Sequence, residues 1–462
     1  MLFYTINKTV VIALILVFLV LLVLIFLSSK SSRAPAVGIT VIYFFGLLNN
    51  SVPGASLLLI DWFEYLPKYQ TYTGFIATFA GATAFFLGTV LVHSLARTAD
   101  FEKQVDVDQT TSITIEKFAM VLFGMSIAAQ LLARIFGAIA SVSAILSALT
   151  LLTMIACFLW LWLKNIGLKS KLALGFSLIV YPVFMLIGGG FLGFGITFIT
   201  TIAIFLLVNK RPNRFVFLLI PVAAFAVFSF TVSYLVVRTE FREVIWDSSS
   251  LDQRFVAFNR LIDQFEWFDA DKPDHLRMID IRMNQNWLVG VAIESVETGR
   301  TEISRGASLT DAAVAWIPRA IWADKPVSAG SGDLVADITG LEFNKETSIG
   351  VSHWLELYAN FGMIGLCIGM FVVGATVRFI DLNAGRALRQ ANIGKFVFAV
   401  FLGSAFLNTL GSFAESVSSF AANALAAIVV LYVLNQRFPA LAGLGRTGPG
   451  RTPKLKSTPL LH

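Results

Sequence analysis

Three groups of residues in this sequence can do chemistry. The first lies in residues 347–365, TSIGVSHWLELYANFGMIG, where His353 and Glu356 are spaced i, i+3 and share one helix face. Such a pair can act as general base and orienter, and it also occurs as a hydrogen-bonded pair at a membrane surface. Asn360, one turn beyond Glu356, can hydrogen-bond a sugar. The second group is IPRAIWADKP at 317–326, where two prolines stiffen the backbone on either side of Arg319 and Lys325. A guanidinium fork and an ammonium charge in a stiff frame suit a phosphate or diphosphate. The other reading is a rigid loop docked on the bilayer interface, where Trp, Arg and Lys are all at home. The third group is residues 254–268. Phe255, Phe258, Ile262 and Phe265 recur there at 3–4–3 spacing, and Arg254 and Arg260 fall elsewhere on the helix. That pattern is an amphipathic helix lying on the membrane or the helix bundle, or one whose arginines face an anionic group.

All three groups fall in or at the edge of one polar interruption, residues 238–352. That stretch holds 12 basic and 19 acidic residues, although the whole chain carries +6. Two further helices are expected inside it. One is 284–296, around Trp287, Leu288 and Ile293. The other starts at Ser308, with Asp311 three residues on as a capping-box variant, and is stopped by Pro318. The rest of the chain is apolar: 56% of its 462 residues are hydrophobic and the mean hydropathy is +0.77. Runs of about 20 apolar residues are each long enough to cross the roughly 30 Å hydrocarbon core. The expected class is an all-α polytopic membrane protein rather than a barrel, which would show short alternating segments.

The periodicity gives about eleven spans, near 9–27, 35–50, 73–95, 118–136, 142–163, 172–188, 190–208, 214–237, 355–377, 393–410 and 417–435. Every second connection is basic, from Lys30 and Arg33 to Arg437 and the residues that follow it. By the positive-inside rule those connections are cytoplasmic, so the large loop is outside and the C-terminus inside. The expected organisation is an N-terminal bundle at 1–237, an extracytoplasmic loop with amphipathic helices at 238–352 and C-terminal spans at 353–437. A disordered basic cytoplasmic tail follows at 438–462. The first span is too long, and lacks a small-residue cleavage site, to be a removed signal peptide. Cys157 and Cys367 lie in apolar runs and support neither a disulfide framework nor a zinc site. His93, His275, His353 and His462 show no metal-ligand spacing, and no dinucleotide fingerprint or Walker loop occurs. No cofactor or metal is expected, and the positive charge belongs to topology rather than to nucleic acid.

The run from Asn284 to Gly306, then 317–326, Gly332 and 347–365, resembles bacterial polysaccharide repeat-unit polymerases of the Wzy type. These belong to the O-antigen polymerase and ligase superfamily of membrane glycosyltransferases. The resemblance covers about 80 residues in detail and the remainder in layout, by span count and the late outer loop. It implies an enzyme of the bacterial cytoplasmic membrane. Such an enzyme transfers a glycan from undecaprenyl diphosphate in the outer leaflet onto a second lipid-linked repeat unit. It implies no metal or nucleotide, and a chain-length regulator as protein partner. Arg319 and Lys325 match the family's PR and KP positions, and Arg254 follows the last span before the loop, as an Arg often does there. Two departures are visible. The ligase branch's His-Asn pair falls on Val351 and Ser352, with His353 displaced by two. The Arg that many polymerases carry after a glycine pair is replaced here by Phe191, after Gly188-Gly189-Gly190. Three other readings stand beside this one. An O-antigen ligase would differ only in its acceptor. A polyprenyl-phosphate-sugar transferase would use Asp61 and Glu64 of IDWFEY. A lipid-linked glycan flippase would be expected to show internal repeats.

Overall fold

A computed structural model describes residues 6–98, 105, 107–136, 140–210, 214–247, 250–317, 321–322, 331–342 and 349–442. The described chain is helical throughout. The helices are α1 (Lys8–Ser29), α2 (Ile39–Ser56, prolonged by a 3-10 turn at Leu57–Leu59), α3 (Lys68–Thr98), α4 (Gln109–Phe136), α5 (Ala140–Trp162) and α6 (Leu168–Gly189). They continue with α7 (Leu192–Asn209), α8 (Arg214–Asp247), α9 (Leu251–Asp263), α10 (Pro273–Arg282), α11 (Gln285–Glu297) and α12 (Ala307–Val314). The last are α13 (Ser331–Thr339), α14 (Ser352–Arg389), α15 (Ile393–Ser404), α16 (Phe413–Asn435) and α17 (Pro439–Ala442). Among the described residues, ten helices are long and apolar enough to cross a membrane. They are α1–α8, α14 and α16. The span expected near 393–410 is instead the 12-residue α15 followed by irregular chain. Its length of about 18 Å falls short of a bilayer core.

With no hydrophobic drive between helices in lipid, close backbone approach does the packing, and small residues mark where it occurs. A Cβ on Gly88 would lie 2.1 Å from the Phe371 carbonyl oxygen, and one on Gly374 2.2 Å from that of Phe85, so α3 and α14 cross backbone to backbone. The same device joins α3 to α11: a Cβ on Gly74 or Gly290 would meet Asn286 O or Gln70 O at 1.8 Å. Helix α11, which lies inside the polar interruption, is therefore built into the bundle. It begins as expected, with the Asn284 side chain accepting from Trp287 N.

Helix α14 departs most from a simple span. At Phe361 (φ −143°, ψ 15°) and Gly362 (φ 66°, ψ −159°) the chain turns back on itself. Trp354 and Leu366 both reach Gly81, and Leu357 packs on Gly369. In an unbroken helix those last two would be about 18 Å apart. Gly362 takes the left-handed φ that the reversal demands. The result is a short arm, 352–360, folded against a long arm, 363–389. The expected straight span at 355–377 therefore crosses a hairpin, because an apolar run through Phe361–Gly362 carries no period that marks a reversal.

At the far end of the long arm, Asp381 accepts from Val37 N (2.8 Å), Gly38 N (3.0 Å), Thr40 N (3.0 Å) and Thr40 Oγ1 (2.7 Å). Its carboxylate answers the orphan N–H groups and positive end of α2. The neighbouring Arg378, fully buried, donates to Ser29 Oγ and Ser28 O. This starts α2 at a fixed level, and the buried polar residues further along α2, Tyr43, Asn50 and Ser51, then reach the site.

Candidate functional site

The short arm holds the first expected group. All nine of its residues are buried. His353 sits between two hydroxyls, Tyr43 Oη at 2.6 Å from Nδ1 and Ser416 Oγ at 3.0 Å from Nε2, with the Phe413 ring at 4.5 Å. Because each hydroxyl can donate or accept, either neutral tautomer is satisfied. Glu356 accepts from Ser308 Oγ at 2.8 Å and from Phe413 N at 2.7 Å. Asn360 donates to Ser308 Oγ (2.8 Å) and Glu356 O (2.7 Å), and its Oδ1 is buried with no hydrogen-bond partner among the described residues. The structure thus joins Glu356 and Asn360 through Ser308. His353 belongs to a separate Tyr43–Ser416 contact, and no hydrogen bond joins it to Glu356 among the described residues.

Ser308 was expected to cap a helix. Instead α12 starts after Gly306 at φ 94° with no side-chain cap, and the Ser308 hydroxyl is spent on Glu356 and Asn360. A buried carboxylate is the stronger acceptor for that hydroxyl. Tyr43, Ser308 and Ser416 were not singled out as site residues. Their one visible signal is polar side chains set into apolar helix ends, as in Asn49-Asn50-Ser51 of α2. Along that helix Asn50 donates to Thr409 Oγ1 (2.9 Å). Ser51 and Thr78 donate to the buried Asn286 Oδ1 (2.7 and 2.8 Å), and Gly54 N donates to Met283 O. A polar stripe therefore runs from His353 to the α10–α11 junction.

The expected cations separate. Arg254 donates to Gly188 O at 3.2 Å, Trp246 Nε1 to Gly189 O at 3.2 Å, and Arg242 Nε to Gly190 O at 3.0 Å, joined by the Tyr234 hydroxyl. The three carbonyls that α6 leaves unanswered at its C-terminus are thereby capped, around Gly190 at φ 71°. Arg260 lines an open cavity with Glu243, Asp247 and Asp252, so its neighbours there are anions. Arg319 and Lys325 lie outside the described residues. Residues 251–263 form α9, but the chain leaves the helix before Phe265, which packs on Phe230 of α8 instead.

A cationic group that the sequence reading did not single out lies between α8 and α10. Arg238 and Arg242 are spaced i, i+4 on α8, and both charges act on Arg282 at the end of α10. No carboxylate forms an ion pair with any of the three among the described residues. Burial, then repulsion from Arg242, holds the Arg282 guanidinium below its usual range. Beside it, Asp280 accepts from Leu66 N (2.9 Å) and Asn284 Nδ2 (2.7 Å), and burial pushes its carboxyl up. Converging arginines without an anion are what a desolvated phosphate would neutralise. Among the described residues no group of three or more His, Cys, Asp or Glu is placed to hold a metal ion.

Ten long apolar helices around a polar, helix-filled insertion define a multi-pass membrane protein of all-α class. Residues 82–412 match the family model described as a domain of unknown function, DUF8712, and the chain belongs to that family. No match is found among curated proteins or among solved structures.

Proposed function

We propose that this protein is a metal-independent membrane glycosyltransferase that polymerises lipid-linked oligosaccharide repeat units, with undecaprenyl diphosphate as the donor's carrier. In this reading the polar insertion faces the outside of the bacterial cytoplasmic membrane, α15 with the chain after it completes an eleventh crossing, and the C-terminus is cytoplasmic. The alternation of basic connections supports that orientation. The observation that carries the reading is the group of Arg238, Arg242 and Arg282, three half-buried or buried cations with no carboxylate among them.

The reaction needs little more than positioned charge. An acceptor hydroxyl oxygen bonds to the donor's anomeric carbon as the bond from that carbon to the diphosphate oxygen breaks. The diphosphate leaves with the electron pair, and the hydroxyl proton passes to a base. The arginines stabilise the departing diphosphate, with each donor contributing on the order of a few kcal/mol if it acts as oxyanion-hole donors do. Glu356 is the assigned base, Asn360 and Ser308 are its sugar-facing neighbours, and His353 orders the arm that carries them. The stripe along α2 links this arm to the arginines, over about 16 Å of helix from Tyr43 to Gly54.

The test is the length of the surface glycan ladder in cells lacking the gene. Single repeat units left on the outer face are expected, with the ladder restored by the intact gene and not by the Arg282→Ala form. A full ladder without the gene removes the polymerase reading. Single units held at the inner face would make the protein a flippase instead.

A further inference from the structure

Between α9 and α10 the chain makes an unusual return. Residues 265–268, Phe-Glu-Trp-Phe, lie in the polar interruption by sequence, yet they run along the apolar part of α8. Trp267 stacks flat on Phe225 (5.8 Å, 2°), Phe268 meets Phe228 edge-on at 5.0 Å, and Phe265 lies 6.2 Å from Phe230. Phe225 continues the exposed apolar face formed by Leu218, Leu219 and Val222, the face a spanning helix turns to lipid. Trp267 is itself 58% exposed, so its ring is added to that face rather than hidden beneath it.

Non-helical backbone is tolerated at membrane depth only where its polar groups are answered by protein. Three of them, Glu266 N, Glu266 O and Phe268 N, are answered here by two serines one turn apart on α8. Ser233 Oγ accepts from Glu266 N (2.9 Å) and donates to Glu266 O (2.7 Å), and Ser229 Oγ accepts from Phe268 N (3.1 Å). The level of this contact can be set independently. Val232 packs in one cluster with Leu57, at the end of the apolar run of α2. Phe225 lies about 12 Å along the helix from Ser233, within the roughly 15 Å half-thickness of the hydrocarbon. The other side of the return is ionic, with Lys272 and His275 both on Glu266.

We propose that residues 265–268 form an aromatic wedge inserted among the acyl chains of the leaflet on the side of α9–α13, hung from α8 by Ser229 and Ser233. The occupant of its exposed face is bilayer lipid. The wedge sets Arg238 and Arg242 about one and a half and two and a half turns of helix beyond Ser233, near the level of lipid phosphates. It needs no glycan chemistry, so it stands or falls apart from the proposed reaction.

Two measurements test it, both on the full chain in phospholipid vesicles. In the unaltered protein, a phosphatidylcholine carrying an acyl-chain diazirine is expected to label residues 265–268 as well as the exposed face of α8. Label on α8 with none on 265–268 overturns the proposal. In a chain with Cys157 and Cys367 replaced, a fluorophore on Trp267→Cys is expected to be quenched by acyl-chain nitroxide. Its quenching by aqueous iodide should be at least about fivefold weaker than at Asp271→Cys, as for a group below the water boundary. Adding Ser229→Ala and Ser233→Ala should raise the iodide quenching at 267 severalfold. Iodide quenching at 267 equal to that at 271 before the serines are changed, or unmoved after, overturns it.

Discussion

The short arm of α14 and the arginines at the C-terminal ends of α8 and α10 are both polar groups held inside a largely apolar protein, and they are finished differently. The two charged or titratable side chains assigned to the site have their partners within the fold: Tyr43 and Ser416 on His353, Ser308 and Phe413 N on Glu356. Arg238, Arg242 and Arg282 are brought together with no carboxylate between them among the described residues. A polar group answered by protein specifies structure, while a set of like charges left unanswered costs stability and is kept only for something that arrives. In the proposed reading the arm is the assembled half of the site, and the arginines, of which Arg242 also caps Gly190 O and lies over Phe191 and Trp246, are the half that an anion would complete.

The largest effect should come from the waiting half. Arg282→Ala combined with Arg238→Ala should lower glycan transfer by about a hundredfold or more, the scale of lost transition-state charge stabilisation. The folded protein should be no less stable, because the pair repel each other. Transfer assays beside thermal unfolding of the purified protein separate the two effects. A loss of stability in step with activity would mean that these arginines are structural, and the contrast with the arm would disappear.

Glu356 should give the opposite pattern. Glu356→Ala removes the acceptor of both Ser308 and Phe413 N, and each unsatisfied donor costs roughly 1–3 kcal/mol when buried. Glu356→Gln keeps an acceptor oxygen and the shape but not the base. It should retain most of the stability and lose transfer by on the order of 10²-fold. If the glutamine form transfers at the parent rate, the base assignment is wrong even though the arm is right.

The sequence exposes one half of this contrast and hides the other for a physical reason. His353, Glu356 and Asn360 are local, so a period of three to four residues shows that they share an arm. Their completing partners Tyr43 and Ser416 come from α2 and α16, far along the chain, and no spacing encodes that. Arg282 joins Arg238 across some forty residues, and singly each looks like an ordinary loop cation. The hairpin in α14 was illegible because hydropathy records composition and not direction, so nine residues folded against a span look like more of the span. The spans themselves were largely readable, since burial in lipid imposes length and composition directly. The exception is α15, which is two-thirds of the expected length.

Ser308 offers a smaller and finer test. Ser308→Ala deletes one neutral and one charge-assisted hydrogen bond while leaving Phe413 N on Glu356. It should cost about 1–2 kcal/mol in unfolding free energy. Since Ser308 is what ties α12 to the arm, hydrogen exchange should speed up in 307–314 well before the arm opens. Equal acceleration in both would show that α12 and the short arm unfold as one unit.

The smallest effect belongs to the exposed ionic side of the wedge. The Lys272 ammonium, by hydrogen bond and charge, holds the Glu266 carboxyl below its ordinary 4.5, and the same contact holds Lys272 above 10.5. The sign follows from both partners. The Glu266 contribution is complete above 4.5 and is lost as pH falls through its depressed folded value. The Lys272 contribution is complete below 10.5 and is lost as pH rises through its raised value. Between those limits, iodide quenching at position 267 should be flat with pH. It should rise slightly on the acid side, and the rise should vanish in a Lys272→Met form, where no ion pair exists to break. High salt should mimic acid only weakly, because the contact is close though exposed. A rise that survives Lys272→Met would show that the Lys272–Glu266 contact is not what holds this side of the wedge.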